Sequence, residues 1–350
     1  MYFRKMKLRT SLLAVASAPY QLITHLRNFF FNKGILKQTE SSISVISVGN
    51  LKMGGTGKTP HVAYLLDLLA PKNTSVISRG YKRATKGLIE GSKTDSATTL
   101  GDEPLELLLR QPDSSFKMIV DSNRRNALNY LKLNHPTTDI AILDDGYQHR
   151  YVNRDANILL SEFNNPFFHD KIFPAGSLRE RKQEAKRADI IIFTKCPSSI
   201  TPAEIETYKL KTSKYSSAKI FFTETQNHGV LNKENKLEDL NKHKKYLLVT
   251  GIANPNPIYE FLASEKIHFA AKNYKDHHQF SKKDINDILK KMENCDALLT
   301  TEKDWMRLKE TNLPQLISKE IFRLSIGIQF VGSEQSSIFS TYLNQLLSKK

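Results

Sequence analysis

Apolar positions along this chain follow a rhythm that changes period in a regular way. Ile43, Val45, Ile46 and Val48 make a short β-branched run ending at Gly49-Asn50, as expected of a buried strand. Pro60 then suits a first helical turn, and "HVAYLLDLL" carries apolar residues at helical spacing. Further apolar runs at 74–78, 117–120, 139–143, 156–160 and 188–193 predict strands separated by helical stretches. That alternation predicts an α/β fold with a largely parallel, doubly wound sheet. A second series, at 219–222, 246–250, 268–270, 297–300 and 322–330, predicts a smaller α/β domain, and "SSIFSTYLNQLL" predicts a closing helix. The polar stretch 196–218 between the two series is the candidate boundary. The expected division is therefore 1–40, 41–215 and 216–350.

The first forty residues have their own pattern. Leu8, Leu12 and Val15, then Leu22, Leu26, Phe29 and Phe30, fall at helical spacing on either side of Pro19. Two short amphipathic helices broken at Pro19 are expected. Seven basic side chains (Arg4, Lys5, Lys7, Arg9, Arg27, Lys33 and Lys37) face Glu40 alone. Basic flanks with a Phe-rich face describe a helix lying in a membrane interface, with anionic lipid as its partner. Two other readings stay open: "SLLAVASA" resembles a signal peptide with a small-x-small site, and the helices could simply pack on the domain. No run of eighteen apolar residues occurs, so no membrane-spanning segment is expected.

Composition narrows the partners. A length of 350 residues exceeds what one core usually supports, and 39% hydrophobic residues suffice for packed cores. A net charge of +16 asks for an anionic partner: nucleic acid, phospholipid or a phosphorylated substrate. No basic patch interleaved with aromatics is visible, so nucleic acid is not expected. Cys196 and Cys295 give neither a disulfide framework nor a metal cluster, which fits a reducing compartment.

The candidate chemistry lies in "SVGNLKMGGTGKTPHV", residues 47–62. A phosphate loop usually opens on glycine five positions before its Gly-Lys-Thr, and here Lys52 stands at that place. The rest of the loop, Met53 to Pro60, is intact. Gly54, Gly55, Thr56 and Gly57 let backbone N–H groups close around phosphate oxygens at a helix N-terminus. Lys58 would reach the β- and γ-phosphates, and Thr59 would offer its hydroxyl to Mg²⁺, so ATP and Mg²⁺ are the expected cofactors. "FTKCP" has a Thr-Lys pair but lacks the aspartate two residues on, which argues against guanine. In "DIAILDDGYQHR" a strand delivers acidic residues at its C-terminal end; Asp144, with Asp145 beside it, is the first choice for Mg²⁺, although a surface turn could also use Asp-Asp-Gly.

These stretches, with "SRGYKR" (78–83), "GDEP" (101–104), "DSNRRNAL" (121–128), "FPAGSLRE" (173–180), "TGIANP" (250–255), "KDHHQF" (275–280) and "TTEKDW" (300–305), resemble the tetraacyldisaccharide 4′-kinases of lipid A biosynthesis. The family enters its loop through Val-Gly-Asn-Leu, so the absent first glycine is its normal form. Lys52, where threonine is common, is a departure. The resemblance implies a P-loop NTPase-like kinase that transfers the ATP γ-phosphoryl to the 4′-hydroxyl of a tetraacylated glucosamine disaccharide 1-phosphate. It implies Asp102 as catalytic base, His277 as its partner, and Glu103 in the metal shell. Arg79, Tyr81, Arg124 and Arg179 become candidates for gripping the 1-phosphate. Asp102 and His277 fall in different predicted domains, so catalysis would require the cleft to close. Asp102 could instead cap the helix that follows it, and the two histidines could be a polar loop. The implied location is peripheral, on the cytoplasmic face of the bacterial inner membrane, with no obligate protein partner. The alternative is a membrane-partitioning ATPase of the deviant P-loop type, whose signature lysine would fall at Met53.

Overall fold

The computed structural model describes residues 17, 19–110, 116–234, 236–252, 254–276 and 278–349. The first of the two expected N-terminal helices lies outside the described residues except for Ser17. Residues 19–32 form helix α1. There follow β1 (Ser44–Asn50), α2 (Lys58–Leu69), β2 (Thr74–Ser78), β3 (Ile89–Gly91), α3 (Ala97–Leu100), α4 (Asp102–Arg110), β4 (Lys117–Val120), α5 (Arg124–Asn134), β5 (Ile140–Asp144), β6 (Ala156–Glu162), β7 (Ile190–Thr194) and α6 (Pro202–Ser213). The chain continues through β8 (Lys219–Leu231), β9 (Leu237–Glu238), β10 (Lys245–Thr250), α7 (Asn256–Ser264), β11 (His268–Asn273), α8 (Lys282–Met292), β12 (Ala297–Thr301), α9 (Glu302–Leu308), α10 (Leu313–Leu316), β13 (Glu320–Phe330) and α11 (Gln335–Leu347).

Every apolar run read as a strand is one. Among the described residues the strands join in a single sheet, ordered β11-β10-β12-β13-β8-β7-β6-β1-β5-β2-β4-β3. The strands around β1 are parallel, with β5 on one side and β6 on the other. Their residues are buried alternately on two covered faces, which is why they read as unbroken apolar runs. Ile46, Val48, Ile142 and Ile158 pack under α2, α4 and α11; Val45, Ile77 and Leu143 pack under Ala127, Leu128 and Leu131 of α5. A fully buried aliphatic side chain of this kind stabilises the fold by roughly 1.5–3 kcal/mol.

Strand β8 connects the two lobes. Lys219–Phe222 pair in parallel with β7, and from Thr223 onward the strand pairs antiparallel with β13. In the second lobe Leu247, Val249 and Leu298 pack on α8, while Tyr246, Leu248 and Leu299 pack on α7. The chain then returns: Phe339, Leu343 and Leu346 of α11 join the core of the first lobe. The stretch 196–218 contains α6, opened by a capping box of Thr201 and Glu204.

Helix α1 docks by its polar stripe. Arg27 Nη2 donates to Glu180 Oε1 at 2.6 Å, and Asn28 Nδ2 donates to the same oxygen at 3.2 Å. Arg150 Nη1 donates to the carbonyl of Asn28 at 3.0 Å, and Arg187 pairs with the other oxygen of Glu180. Leu22, Ile23, Leu26, Phe29 and Phe30 point the other way and remain 38–68% exposed. The packing alternative for this apolar face is thereby answered: the helix packs, but through other residues.

Candidate active site

The order β1-β5-β2 sets three C-terminal strand ends side by side, and the site is built on them. After β1 the chain turns through residues 51–57 and enters α2 at Lys58. Gly57, at φ +82°, occupies the N-cap in the left-handed region that glycine enters without steric cost. The loop is braced from outside. Asn50 Nδ2 donates to Thr56 Oγ1 at 2.9 Å and to the Gly54 carbonyl at 3.3 Å. Thr194 Oγ1 donates to the Thr56 carbonyl at 3.0 Å, and Lys195 Nζ donates to the Gly55 carbonyl at 2.6 Å. Gly54 and Gly55 border open space: a Cβ on either would meet nothing within 4 Å.

Lys52 turns away from this opening. It is buried, with Nζ donating to the Asn165 carbonyl at 2.9 Å and lying 3.5 Å from Asp170 Oδ2. Met53 N donates to the Ser177 carbonyl at 2.7 Å. The departure at 52 therefore ties the loop entrance to residues 165–178. Its amine is committed there, which leaves the partitioning-ATPase alternative without a signature lysine.

At the end of β5 the two aspartates divide. Asp145 Oδ1 lies 3.7 Å from Lys58 Nζ, and Asp145 Oδ2 accepts from Arg179 Nη1 at 2.9 Å. Burial disfavours the Asp145 charge, but Lys58, Arg179 and Arg124 outweigh it and hold the carboxyl below its ordinary range. Asp144 is buried; Ser78 Oγ donates to its Oδ2 at 3.2 Å, and its Oδ1 has no hydrogen-bond partner. Burial, and after it the charge of Glu103, push the Asp144 carboxyl up to about 7. A buried carboxylate with an orphaned oxygen and an acidic neighbour is a seat for a cation. Among the described residues no three His, Cys, Asp or Glu side chains converge as a metal cage. A cation there would complete its shell with the Thr59 hydroxyl and phosphate oxygens, the pattern expected of Mg²⁺.

The remaining candidates fall into distinct places. Arg79 and Tyr81 follow β2 directly and are exposed. A Cβ on Gly80 would meet the Leu100 carbonyl at 2.8 Å, so the "SRGY" and "GDEP" turns touch. Arg179 is half-buried on Asp145 and Gln148. Arg124 is buried below the site, and its guanidinium donates to the carbonyls of Asp121, Ser122 and Asp144 at 3.2–3.4 Å. Glu103 is half-buried in the first turn of α4.

Asp102 opens α4, and the N-cap position belongs to Gly101, whose carbonyl accepts from Leu105 N. The Asp102 carboxylate, 13% exposed, lies 3.6 Å from Nε of Arg307 in α9. That contact brings a first-lobe acid against a second-lobe helix. His277 lies outside the described residues. The ring of its neighbour His278 is committed, with Nε2 3.0 Å from Asp284 Oδ2 and the face stacked on Tyr274. Sequence reasoning did not single out Asn50, Lys195 or Arg307. The Thr194-Lys195 pair was visible as a motif, read only for the nucleobase.

The sequence profile of the family described as tetraacyldisaccharide-1-P 4′-kinase matches residues 9–347. The tetraacyldisaccharide 4′-kinase of Flavobacterium johnsoniae is 38% identical over 320 residues, covering 91% of this chain and 92% of its own. The protein of the same name from Porphyromonas gingivalis is 33% identical over 347 residues, covering 95% and 96%. The crystal structure of LpxK from Aquifex aeolicus in complex with ATP superposes with a TM-score of 0.76 at 27% identity, over 97% of this chain and 99% of that one. A match running nearly end to end in sequence, and again in fold, places the chain in the tetraacyldisaccharide-1-phosphate 4′-kinase family.

Proposed function

We propose that the protein transfers the γ-phosphoryl group of ATP to the 4′-hydroxyl of a tetraacylated glucosamine disaccharide 1-phosphate, the lipid A precursor. The observation that carries this reading is, in a chain of this family, the phosphate loop after β1 beside the orphaned Asp144 oxygen at the end of β5, with the charge of Glu103, the neighbour of Asp102, acting on that carboxyl. The backbone of Met53–Pro60 would cradle the phosphates, with Lys58 reaching the γ-phosphoryl. Thr59, Asp144 and Glu103 would hold Mg²⁺, which when bound neutralises charge on the phosphoryl oxygens. Asp102 takes the proton of the 4′-hydroxyl as its oxygen bonds to phosphorus and the β–γ bridge breaks, leaving ADP. His277 would pair with that base, since the His278 ring is engaged elsewhere. Exposed Arg79 and Tyr81, with half-buried Arg179, would suit its 1-phosphate. Arg124 acts from below, fixing the Asp144 backbone. Purified protein given labelled ATP and the tetraacyl disaccharide 1-phosphate in detergent micelles should pass the label to lipid. ATP hydrolysis that ignores the acceptor would refute the reading.

The acylated acceptor lies in a membrane leaflet, and α1 suits a peripheral approach to it on the cytoplasmic face of the inner membrane. Its outward apolar face is extended by exposed Phe173, whose ring meets Tyr20 at 6.3 Å. Exposed Lys33 lies over Phe29, and Lys171 is exposed near by, a basic rim suited to anionic headgroups. Deleting residues 1–31 should weaken vesicle binding, but it also removes Arg27 and Asn28, two of the partners of buried Glu180. The triple substitution Leu22→Ser/Leu26→Ser/Phe29→Ser alters only exposed positions and leaves the docking stripe alone. It should lower co-sedimentation with anionic vesicles at least about tenfold, given roughly 1.5–3 kcal/mol per inserted side chain. Sedimentation equal to the parent's would count against a membrane role for α1.

A further inference from the structure

We propose that Arg307 is a positioning residue for phosphoryl transfer, holding Asp102 and the chain segment beside His277 with one guanidinium. The inference rests on the assignment of Asp102 as the base.

The Arg307 side chain is 1% exposed, and all three edges of its fork have targets. Nη2 donates to Asp304 Oδ1 at 2.8 Å, and Nη1 donates to the backbone carbonyl of His278 at 2.9 Å. Nε faces Asp102 Oδ2 at 3.6 Å, just beyond hydrogen-bond reach, and makes no hydrogen bond. A buried donor in that state is costly, and a shift of a few tenths of an ångström would complete the bond. Asp304 is an anchor and not a competitor for movement. It is fully buried, and its Oδ2 accepts from Thr301 Oγ1 at 2.7 Å and from Gly251 N at 2.9 Å. Arg307 is therefore fixed from behind by the second lobe and presents its remaining edge to Asp102.

The surroundings of Asp102 follow the same plan. At the far end of α4, Arg110 Nη1 donates to the Ile326 carbonyl of β13 at 2.8 Å. At the start of α3, Ala97 N donates to Glu310 beyond α9. The helix that carries the base is thus clamped to the second lobe before, at and after Asp102. A lysine could not hold this geometry, because a single ammonium cannot serve three acceptors arranged around a planar fork.

Arg307→Lys keeps the charge beside Asp304 and removes the fork. Its kcat should fall about 10- to 100-fold, the usual result of slight misplacement of a reacting group, while KM for ATP stays within about twofold. In an Asp102→Asn background the same substitution should change the residual rate less than about twofold, because the effect runs through Asp102. A parental kcat in folded Arg307→Lys, or an equal loss in both backgrounds, overturns the proposal. Should the lysine variant melt early, Arg307→Gln/Asp304→Asn removes both buried charges together and should show the same kcat loss with KM retained; parental kcat there overturns the proposal too. Asp102→Asn assayed alone separates the two readings: if it keeps the parental rate, the base assignment fails first.

Discussion

Lys58→Ala should fold as the parent does and transfer phosphoryl about 10²–10³-fold more slowly or worse, the usual cost of removing one preorganised charge from a developing negative centre. Lys58 begins α2 at the floor of the loop, with its side chain 9% exposed and its ammonium 3.7 Å from Asp145. The fold should survive because Asp145 is not orphaned by the change: Arg179 still donates to its other oxygen at 2.9 Å. The Asp145 carboxyl, held below its ordinary range partly by Lys58, would rise toward it. A group whose folded pKa is depressed contributes stability at neutral pH that is lost as pH falls through that pKa. The variant should therefore give up a small part of that contribution at pH 7, and none of it below the folded pKa. Steady-state transfer assays with thermal melts would check both halves. A folded variant with a near-parental rate would mean that the loop is not the ATP site.

The sequence was most informative where backbone geometry does the chemistry. A phosphate loop recognises its ligand through N–H groups, so the glycines at 54, 55 and 57 and the strand and helix around them announce the site. The position of Asp144 was legible for a similar reason, since a strand end in a parallel sheet fixes where a side chain must stand. What was not legible depends on long-range contacts. β8 runs on through polar "TETQNHGVL", which has no strand signature and is held extended by β13. The apolar residues of α1 were visible, yet only the buried Glu180 shows which way they face. Lys52 was noticed as a departure, and its inward turn needed Asn165 and Asp170, over a hundred positions away. Arg307 was not singled out, because nothing local distinguishes a surface arginine from one anchored by Asp304.

Asp102→Asn should reduce kcat by about 10²–10⁴-fold, the usual worth of a positioned general base, with KM for ATP nearly unchanged. An amide keeps the shape and the facing of Arg307 but has no basic oxygen to accept the acceptor proton. The competing view, that Asp102 is a helix cap, makes a different claim: asparagine caps well, so the variant would stay active and only alanine would cost stability. The structure weakens that view by giving the cap position to Gly101. Asp102→Ala should then lose the modest interaction of a carboxylate with the first turn of α4, about 0.3–1 kcal/mol, together with the contact to Arg307. Because Arg307 remains paired with Asp304, removing Asp102 strands no buried charge. His277→Ala should produce a kcat loss of the same order. The Asp102→Ala/His277→Ala double variant should be hardly worse than either single one, since a base and its partner act as a unit. Kinetics and melts on these four variants decide between the views, and an active, stable Asp102→Asn enzyme would remove Asp102 from the chemistry.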